Sequence, residues 1–180
     1  MNATKKHWFL FTIVLTLCSA TASAQPSFGI LYCSSNVSDE YWTQDLANDI
    51  AHLLLSELAP LGIVRPLERE HILLLMKEID PPKVDNLEGN VIQEIGQRER
   101  LQYLVKGNLL ALELKGNIVT YKLRLAIYKT NDATMVWEKA PEITRELTDK
   151  ELKEHILLSA DFYKPTILSM TREIRKLKFQ

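Results

Sequence analysis

The stretch NIVTYKLRLAIYK, residues 117–129, carries the strongest secondary-structure signal in the chain. Apolar side chains alternate with Thr, Lys and Arg along it, at Val119, Tyr121, Leu123, Leu125 and Ile127. A period of two predicts a β-strand with one buried face. YLVKGNLLALEL (103–114) precedes it across a natural hairpin turn at 115–117, and MVWEKA (135–140) follows it. The sequence therefore predicts a three-stranded antiparallel meander.

Upstream of the meander, short apolar segments alternate with amphipathic ones. FGILYC (28–33) predicts a strand, and a helix from near Tyr41 to Leu58 follows it. IVRPL (63–67) predicts a second short strand, which Pro66 ends or confines to a sheet edge. A second helix, in the stretch 62–78, follows this strand. A third helix, for which Asn90 is the predicted N-cap, then leads into the meander.

The stretch GIVRPLEREHILLLMKE, residues 62–78, places a histidine among acidic residues, and EHILL recurs at 154–158. A helical zinc pair needs two histidines four residues apart, and His71 has no such partner. We therefore interpret His71 as a solvent-facing residue of an amphipathic helix and the repeat as coincidence. The apolar face of this helix, Ile72, Leu75 and Met76, is expected to pack on the sheet.

A helix start follows the meander, since Thr148 and Glu151 form a capping box and Leu147 and Leu152 a hydrophobic staple. We expect the apolar face of this helix to continue through Ile156, Ala160 and Tyr163. Pro165 should break or kink the helix. A second segment then follows, so the predicted C-terminal helices span 148–178.

The N-terminal 24 residues have the pattern of a signal peptide. Two lysines precede an apolar run, and Ala22-Ser23-Ala24 matches a small-x-small cleavage pattern, which predicts cleavage before Gln25. Lipidation at Cys18 is the alternative, disfavoured by the large Leu17 before it. Residues 25–180 are then long enough for one domain, with a predicted core at 28–140.

Composition and the absence of catalytic motifs argue against two classes of protein, nucleic-acid-binding proteins and enzymes. A formal net charge of −1 argues against nucleic-acid binding. Only Cys33 remains in the cleaved chain, and its apolar neighbours predict a buried side chain. Asp45 and Asp49 lie four residues apart, as in a carboxylate pair, but the exposed polar face of the first helix explains them better. No G-x-S-x-G elbow or phosphate-binding glycine loop occurs. The sequence therefore predicts no catalytic residue, no cofactor and no metal site, and a binding protein rather than an enzyme.

One candidate contact surface stands out, the C-terminal segment TREIRKLKFQ, residues 171–180. Its cations are Arg172, Arg175, Lys176 and Lys178. Cations in a last turn stabilise a helix through its dipole, which is one interpretation. The other is contact with an anionic surface, either phospholipid headgroups or an acidic partner. On that second interpretation, deletion of residues 172–180 should weaken attachment to the envelope.

The order of the elements resembles that of a group of bacterial envelope proteins. LANDIAHLLLSEL (46–58) and the stretch 62–78 resemble a helix, a short strand ending in Arg and a second helix. LQYLVKGNLLAL (101–112), with Gly107, and YKLRLAIYKTNDATMVWEK (121–139) resemble the second half of that pattern. The group comprises the curli-secretion channel subunit, the outer-membrane lipoprotein activators of penicillin-binding proteins and the N-terminal domain of TolB.

The resemblance implies an α/β fold: a single-domain sandwich with a mixed sheet, the meander towards the C-terminus, and helices covering the sheet. It implies no enzymatic site and a docking role in the periplasm, at the outer membrane in some members. Two functions remain open. One is a protein that docks onto envelope-assembly or secretion machinery; the other is a ring-forming accessory subunit of an outer-membrane export channel. The implied partner is an envelope protein or further copies of the chain, with peripheral membrane contact as an added expectation.

Overall fold

The structure is a computed structural model that describes residues 25–31, 33–35, 44–68, 70–74, 89–154 and 156–179. These residues form a mixed sheet. Its strands are β1 (Ser27–Ile30), β2 (Ser34–Ser35), β3 (Ile63–Pro66), β4 (Tyr103–Lys115), β5 (Ile118–Lys129), β6 (Met135–Lys139) and β7 (Glu142–Glu146). The strand order is β3-β1-β4-β5-β6, with β2 paired to β4 and β7 to β5. β1 runs parallel to β3 and β4, whereas β5 is antiparallel to β4, β6 and β7.

The predicted meander is confirmed as β4, β5 and β6. The β4–β5 hairpin closes at the pair Lys115 and Ile118, and Gly116 in its turn has φ 65°, a conformation that suits glycine. A bulge between Leu109 and Ala111 shifts the register of β4, so Leu109 and Leu112 both lie on the side of the main core.

The sequence interpretation missed β7. β6 covers only the second half of β5, so the first half, residues 118–122, pairs with β7 instead. Only Ile143 of this strand is a large apolar residue, and Arg145 faces inward with its guanidinium 3.7 Å from the centre of the Phe162 ring. A strand of five residues with one apolar side chain offers little local signal.

The helices are α1 (Gln44–Leu58), α2 (Gly89–Glu99), α3 (Asp149–Lys153) and α4 (Ala160–Ile174), with a 3₁₀ turn at Ala59–Leu61 and helical residues at 70–74. α2 begins at Gly89, so Asn90 lies in its first turn and is not its N-cap as predicted. The strand prediction at 63–67 is confirmed, and β3 is an edge strand as Pro66 indicated.

Helices pack on both faces of the sheet, which confirms the sandwich. Successive residues of a strand point to opposite faces, and Tyr103 and Leu104 accordingly belong to two separate clusters. Tyr103 lies in the larger cluster, which α1 and α4 complete. Leu104 lies in the smaller cluster with residues of the 70–74 segment and α2. Ile72, 1% exposed, packs in this smaller cluster as predicted, whereas Leu75 and Met76 lie outside the described residues.

The C-terminal helical region differs from the prediction. The capping box of Thr148 and Glu151 is present, but α3 ends at Lys153 and α4 starts only at Ala160. The break allows Leu157 to turn into the core, where it is 4% exposed. Pro165 therefore does not break a helix but lies inside α4. It is exposed, so solvent can satisfy the carbonyl that its missing N–H leaves unbonded.

Candidate interaction surface

The C-terminal segment predicted as a contact surface continues from the end of α4. Arg172 is in the last turn of the helix and exposed, Arg175 is its C-cap residue, and Lys176 and Lys178 follow it and are exposed. Arg172 lies on the outer face of α4 beside a shallow depression that Asp161 and Lys164 also line. The four predicted residues therefore do not form one continuous surface patch.

Arg175 is bound within the fold. Its guanidinium donates hydrogen bonds to the backbone carbonyl of Glu57 at 2.8 Å and 2.6 Å and to the Glu57 carboxylate at 2.7 Å. Glu57 is in the last turn of α1, where carbonyl groups lack partners within the helix and a cation is favourable. Arg175 therefore ties the end of α4 to the end of α1, a structural role.

The apolar residues beside these cations face inward. Ile174 is fully buried. The ring of Phe179 makes edge-to-face contacts with Phe28 and Tyr103, with centroids 4.9 Å and 5.0 Å apart. Phe28 and Tyr103 themselves stack at 5.1 Å. The end of the chain is thus held against the first residues of β1 and β4, and Phe179 is not presented outward beside the lysines.

These contacts place the C-terminal segment at the end of the molecule where the described chain begins. We define the N-terminal pole as Gln25–Ser27, Ala59–Ile63, Arg100 and Lys176–Phe179. Ile63 donates its N–H to the carbonyl of Pro26 at 2.9 Å, and the Ser27 hydroxyl lies 3.4 Å from the carbonyl of Arg100. α1, α2 and α4 all end at this pole, while β1, β3 and β4 start there.

The pole combines free cations with an exposed apolar residue. Arg100, Lys176 and Lys178 are exposed, and none of them forms an ion pair with any residue that the structure describes. Ile63, at the start of β3, is 59% exposed. The sequence interpretation missed Arg100 and Ile63, because their neighbours at this surface come from distant parts of the chain.

His71 contacts the Glu99 carboxylate on the surface, together with Arg65. Its Nε2 lies 2.8 Å from one carboxylate oxygen of Glu99, and Arg65 lies 3.2 Å from the other. The His71 side chain is 54% exposed, as the sequence interpretation held, but it has a partner. Within the described ranges no three His, Cys, Asp or Glu side chains are grouped so as to hold a metal ion. His155 lies outside those ranges.

The buried cysteine is not set up as a nucleophile. Cys33 is 2% exposed, and burial raises the pKa of its thiol to about 12. At neutral pH the thiol is therefore protonated, whereas a nucleophilic cysteine reacts as the thiolate. Tyr121 is also used internally, since its hydroxyl donates to the carbonyl of Phe162 at 2.9 Å and lies 3.1 Å from the Thr166 hydroxyl. Both groups serve packing.

None of the helices in the described part of the chain is both long and apolar enough to cross a membrane. No protein-family model matches the sequence. A comparison with curated proteins finds no significant match.

The fold is that of an α/β sandwich with a mixed sheet, and solved structures with some similarity to it come from bacterial proteins. The LpoB C-terminal domain from Salmonella enterica is 12% identical over 72% of this chain and 91% of its own, with a TM-score of 0.43. The PelC dodecamer from Paraburkholderia phytofirmans is 10% identical over 70% of this chain and 76% of its own, with a TM-score of 0.44.

The lipoprotein GNA1162 from Neisseria meningitidis is 10% identical over 73% of this chain and 92% of its own, with a TM-score of 0.39. Identities and TM-scores this low establish no functional relationship. Membership of any one of the families named from the sequence stays a prediction.

Proposed function

We propose that the protein is a non-catalytic accessory protein of the periplasm, which docks onto envelope-assembly or secretion machinery. The signal-peptide pattern of residues 1–24 supports export, and the order of motifs along 28–140 supports a docking role. The observation that carries the proposal is the open edge of the sheet at β6. β6 is the last strand in the sheet order, and no other described strand pairs with its outer side.

The edge strand β6 exposes apolar side chains at positions where a free charged side chain would discourage pairing with another chain. Met135 is 44% exposed and Val136 is 40% exposed. Both charged residues of the strand are bound within the chain, Glu138 by Arg124 and Lys139 by Glu173. Edge strands are commonly blunted by free lysines, which discourage pairing with another chain.

An edge of this kind suits the addition of an extended segment from a partner, with backbone hydrogen bonds giving affinity and side-chain contacts giving specificity. The partner is an envelope protein on the first hypothesis and a further copy of the chain on the ring-forming alternative. Both use the same edge, so an experiment at β6 tests them together.

Site-specific photo-crosslinking tests the docking edge. A photoreactive amino acid at Val136 should form a discrete adduct in intact cells, because the side chain borders the open edge. The control position is Lys153, exposed at the end of α3, which should form none. No adduct at Val136, or equal adducts at both positions, contradicts the proposal.

Purified protein separates the two hypotheses. If the Val136 adduct forms with the protein alone, and native mass spectrometry shows a closed ring of many copies, the ring-forming alternative replaces the docking of a monomer. If the adduct forms only in cells and contains a second protein, the partner is an envelope protein that mass spectrometry can identify.

A further inference from the structure

The N-terminal pole carries three cations that the fold does not use. Arg100, Lys176 and Lys178 are exposed and make no ion pair with a described residue. Among the described acidic residues near them, Glu57 is bound by Arg175 and Glu99 by Arg65. Glu173, one turn before Lys176, is bound by Lys139. The chain as a whole is slightly acidic, with a formal net charge of −1. The pole is therefore a local positive surface on a protein without a general basic excess.

Arg100 occupies a backbone conformation that costs stability. It follows the last residue of α2 with φ 52°, and its N–H and that of Leu101 bond to the carbonyls of Gln97 and Gly96. This is a Schellman motif, in which the left-handed position is usually glycine because a side chain there is strained. A glycine would suit the fold better, so the arginine side chain at this position comes at a cost to the fold.

The same surface exposes apolar groups between its charges. Ile63 is 59% exposed, and Ala59 and Pro60 in the preceding 3₁₀ turn are exposed as well. Basic residues interspersed with apolar ones characterise protein surfaces that lie at the boundary between lipid headgroups and acyl chains. An acidic protein partner would need only the positive charges and would leave the exposed apolar groups without a role.

We propose that the N-terminal pole lies against an anionic phospholipid surface. The described chain begins at Gln25, three residues before Phe28, whose ring contacts that of Phe179. A lipid at Cys18 would hold the pole close to the bilayer. Cleavage before Gln25 would instead add a positively charged amino group there. The proposal goes beyond docking at β6 and requires no protein partner.

Vesicle co-sedimentation tests the proposal with the chain that begins at Gln25, so that no lipid at Cys18 contributes to binding. The probes are vesicles of phosphatidylglycerol with phosphatidylethanolamine, and vesicles of phosphatidylcholine alone. Each basic residue near an anionic membrane contributes about 1 kcal/mol, which is about fivefold in binding. The combined variant Arg100→Gly, Lys176→Gln and Lys178→Gln should therefore bind anionic vesicles about 100-fold more weakly. Lys153→Gln, an exposed cation at the end of α3, is the matched control and should bind nearly as the unaltered protein does.

Arg100→Gly alone gives a readout that a merely structural role cannot produce. The substitution should raise the melting temperature by about 2–4 °C, since glycine relieves the strained position. It should at the same time weaken binding to anionic vesicles about fivefold. If Arg100→Gly is stabilised but binds anionic vesicles as the unaltered protein does, Arg100 does not contact the membrane. Ile63→Thr, which keeps the β-branched side chain of the strand, should weaken binding as well.

Binding to anionic but not neutral vesicles, weakened by salt and by the combined variant, supports the proposal. Equal binding to both kinds of vesicle, no binding at low salt, or equal binding by the combined variant and the Lys153→Gln control overturns it. If the cations instead serve an acidic protein partner, the vesicles show no binding. Because the vesicles contain no protein, the result does not depend on whether β6 has a partner.

Discussion

Gly107 in β4 and Cys33 between β1 and β2 should show strong thermodynamic coupling. A Cβ atom added at Gly107 would lie only 2.4 Å from the Cys33 sulfur, and 3.5 Å from the Cys33 Cβ. Favourable contacts between side-chain atoms begin at about 3.5 Å. Gly107→Ala therefore requires movement of a side chain that is 2% exposed. The glycine that the sequence shares with the envelope-protein pattern is thus explained by packing.

The magnitudes follow from the geometry. Overpacking of this kind costs about 1–3 kcal/mol, against which alanine gains about 0.5–1 kcal/mol over glycine in a strand. Gly107→Ala should therefore destabilise by about 1–2 kcal/mol. Cys33→Ala removes one buried atom and should cost about 1 kcal/mol. In the double variant the added methyl fills the space of the lost sulfur, so the double variant should be more stable than Gly107→Ala alone.

Urea unfolding of the four proteins measures this coupling, provided that the slope m stays constant. We expect a favourable interaction free energy of about 1–3 kcal/mol between the two substitutions. Gly89→Ala is the control, since its added Cβ would meet Ala133 at an ordinary 3.4 Å. Combined with Cys33→Ala, it should be additive. If Gly107→Ala and Cys33→Ala are also additive within about 0.5 kcal/mol, the packing of β4 against Cys33 is wrong.

Three further predictions concern the core, the surface contacts of Glu99 and pH. Tyr121→Phe should destabilise by about 1–3 kcal/mol in urea unfolding, because the buried hydrogen bond from the tyrosine hydroxyl to the Phe162 carbonyl is lost. His71→Ala should change the melting temperature little, since exposed pairs contribute about 0–1 kcal/mol. Glu99→Gln should lower the melting temperature further, because the Glu99 carboxylate contacts both Arg65 and His71. The folded pKa of Cys33, about 12, lies above the ordinary value of 9.0, so the thiol favours folding below pH 9 and that contribution falls as pH rises towards 12. Cys33→Ala should flatten this alkaline loss in unfolding experiments.

The meander could be predicted because its signal is local. The alternation along 117–129 sets which side chains of β5 face the core, and the turn at Gly116 sets how β4 returns beside it. β7 could not be found in this way. Its position is decided by the half of β5 that β6 leaves unpaired, which is a property of the assembled sheet.

The C-terminal helices illustrate the same limit. The capping box at Thr148 was predictable, since both partners lie within four residues. The end of α3 at Lys153 was not, because it depends on Leu157 reaching a core formed by strands and helices far away in sequence. Proline at position 165 suggested a break, yet in α4 it lies on an exposed face where a missing N–H costs less.

The basic C-terminal segment shows why the candidate surface needed the structure. Arg175 and Lys176 are adjacent cations in the sequence, but Arg175 is bound to Glu57, 118 positions away, whereas Lys176 is free among the described residues. Phe179 belongs to an aromatic cluster at the start of the sheet. Deletion of residues 172–180, the test that the sequence suggested, would remove these structural contacts together with the free lysines. Lost attachment would then follow from unfolding as readily as from lost membrane contact, and only substitution of Lys176 and Lys178 at unchanged stability separates the two causes.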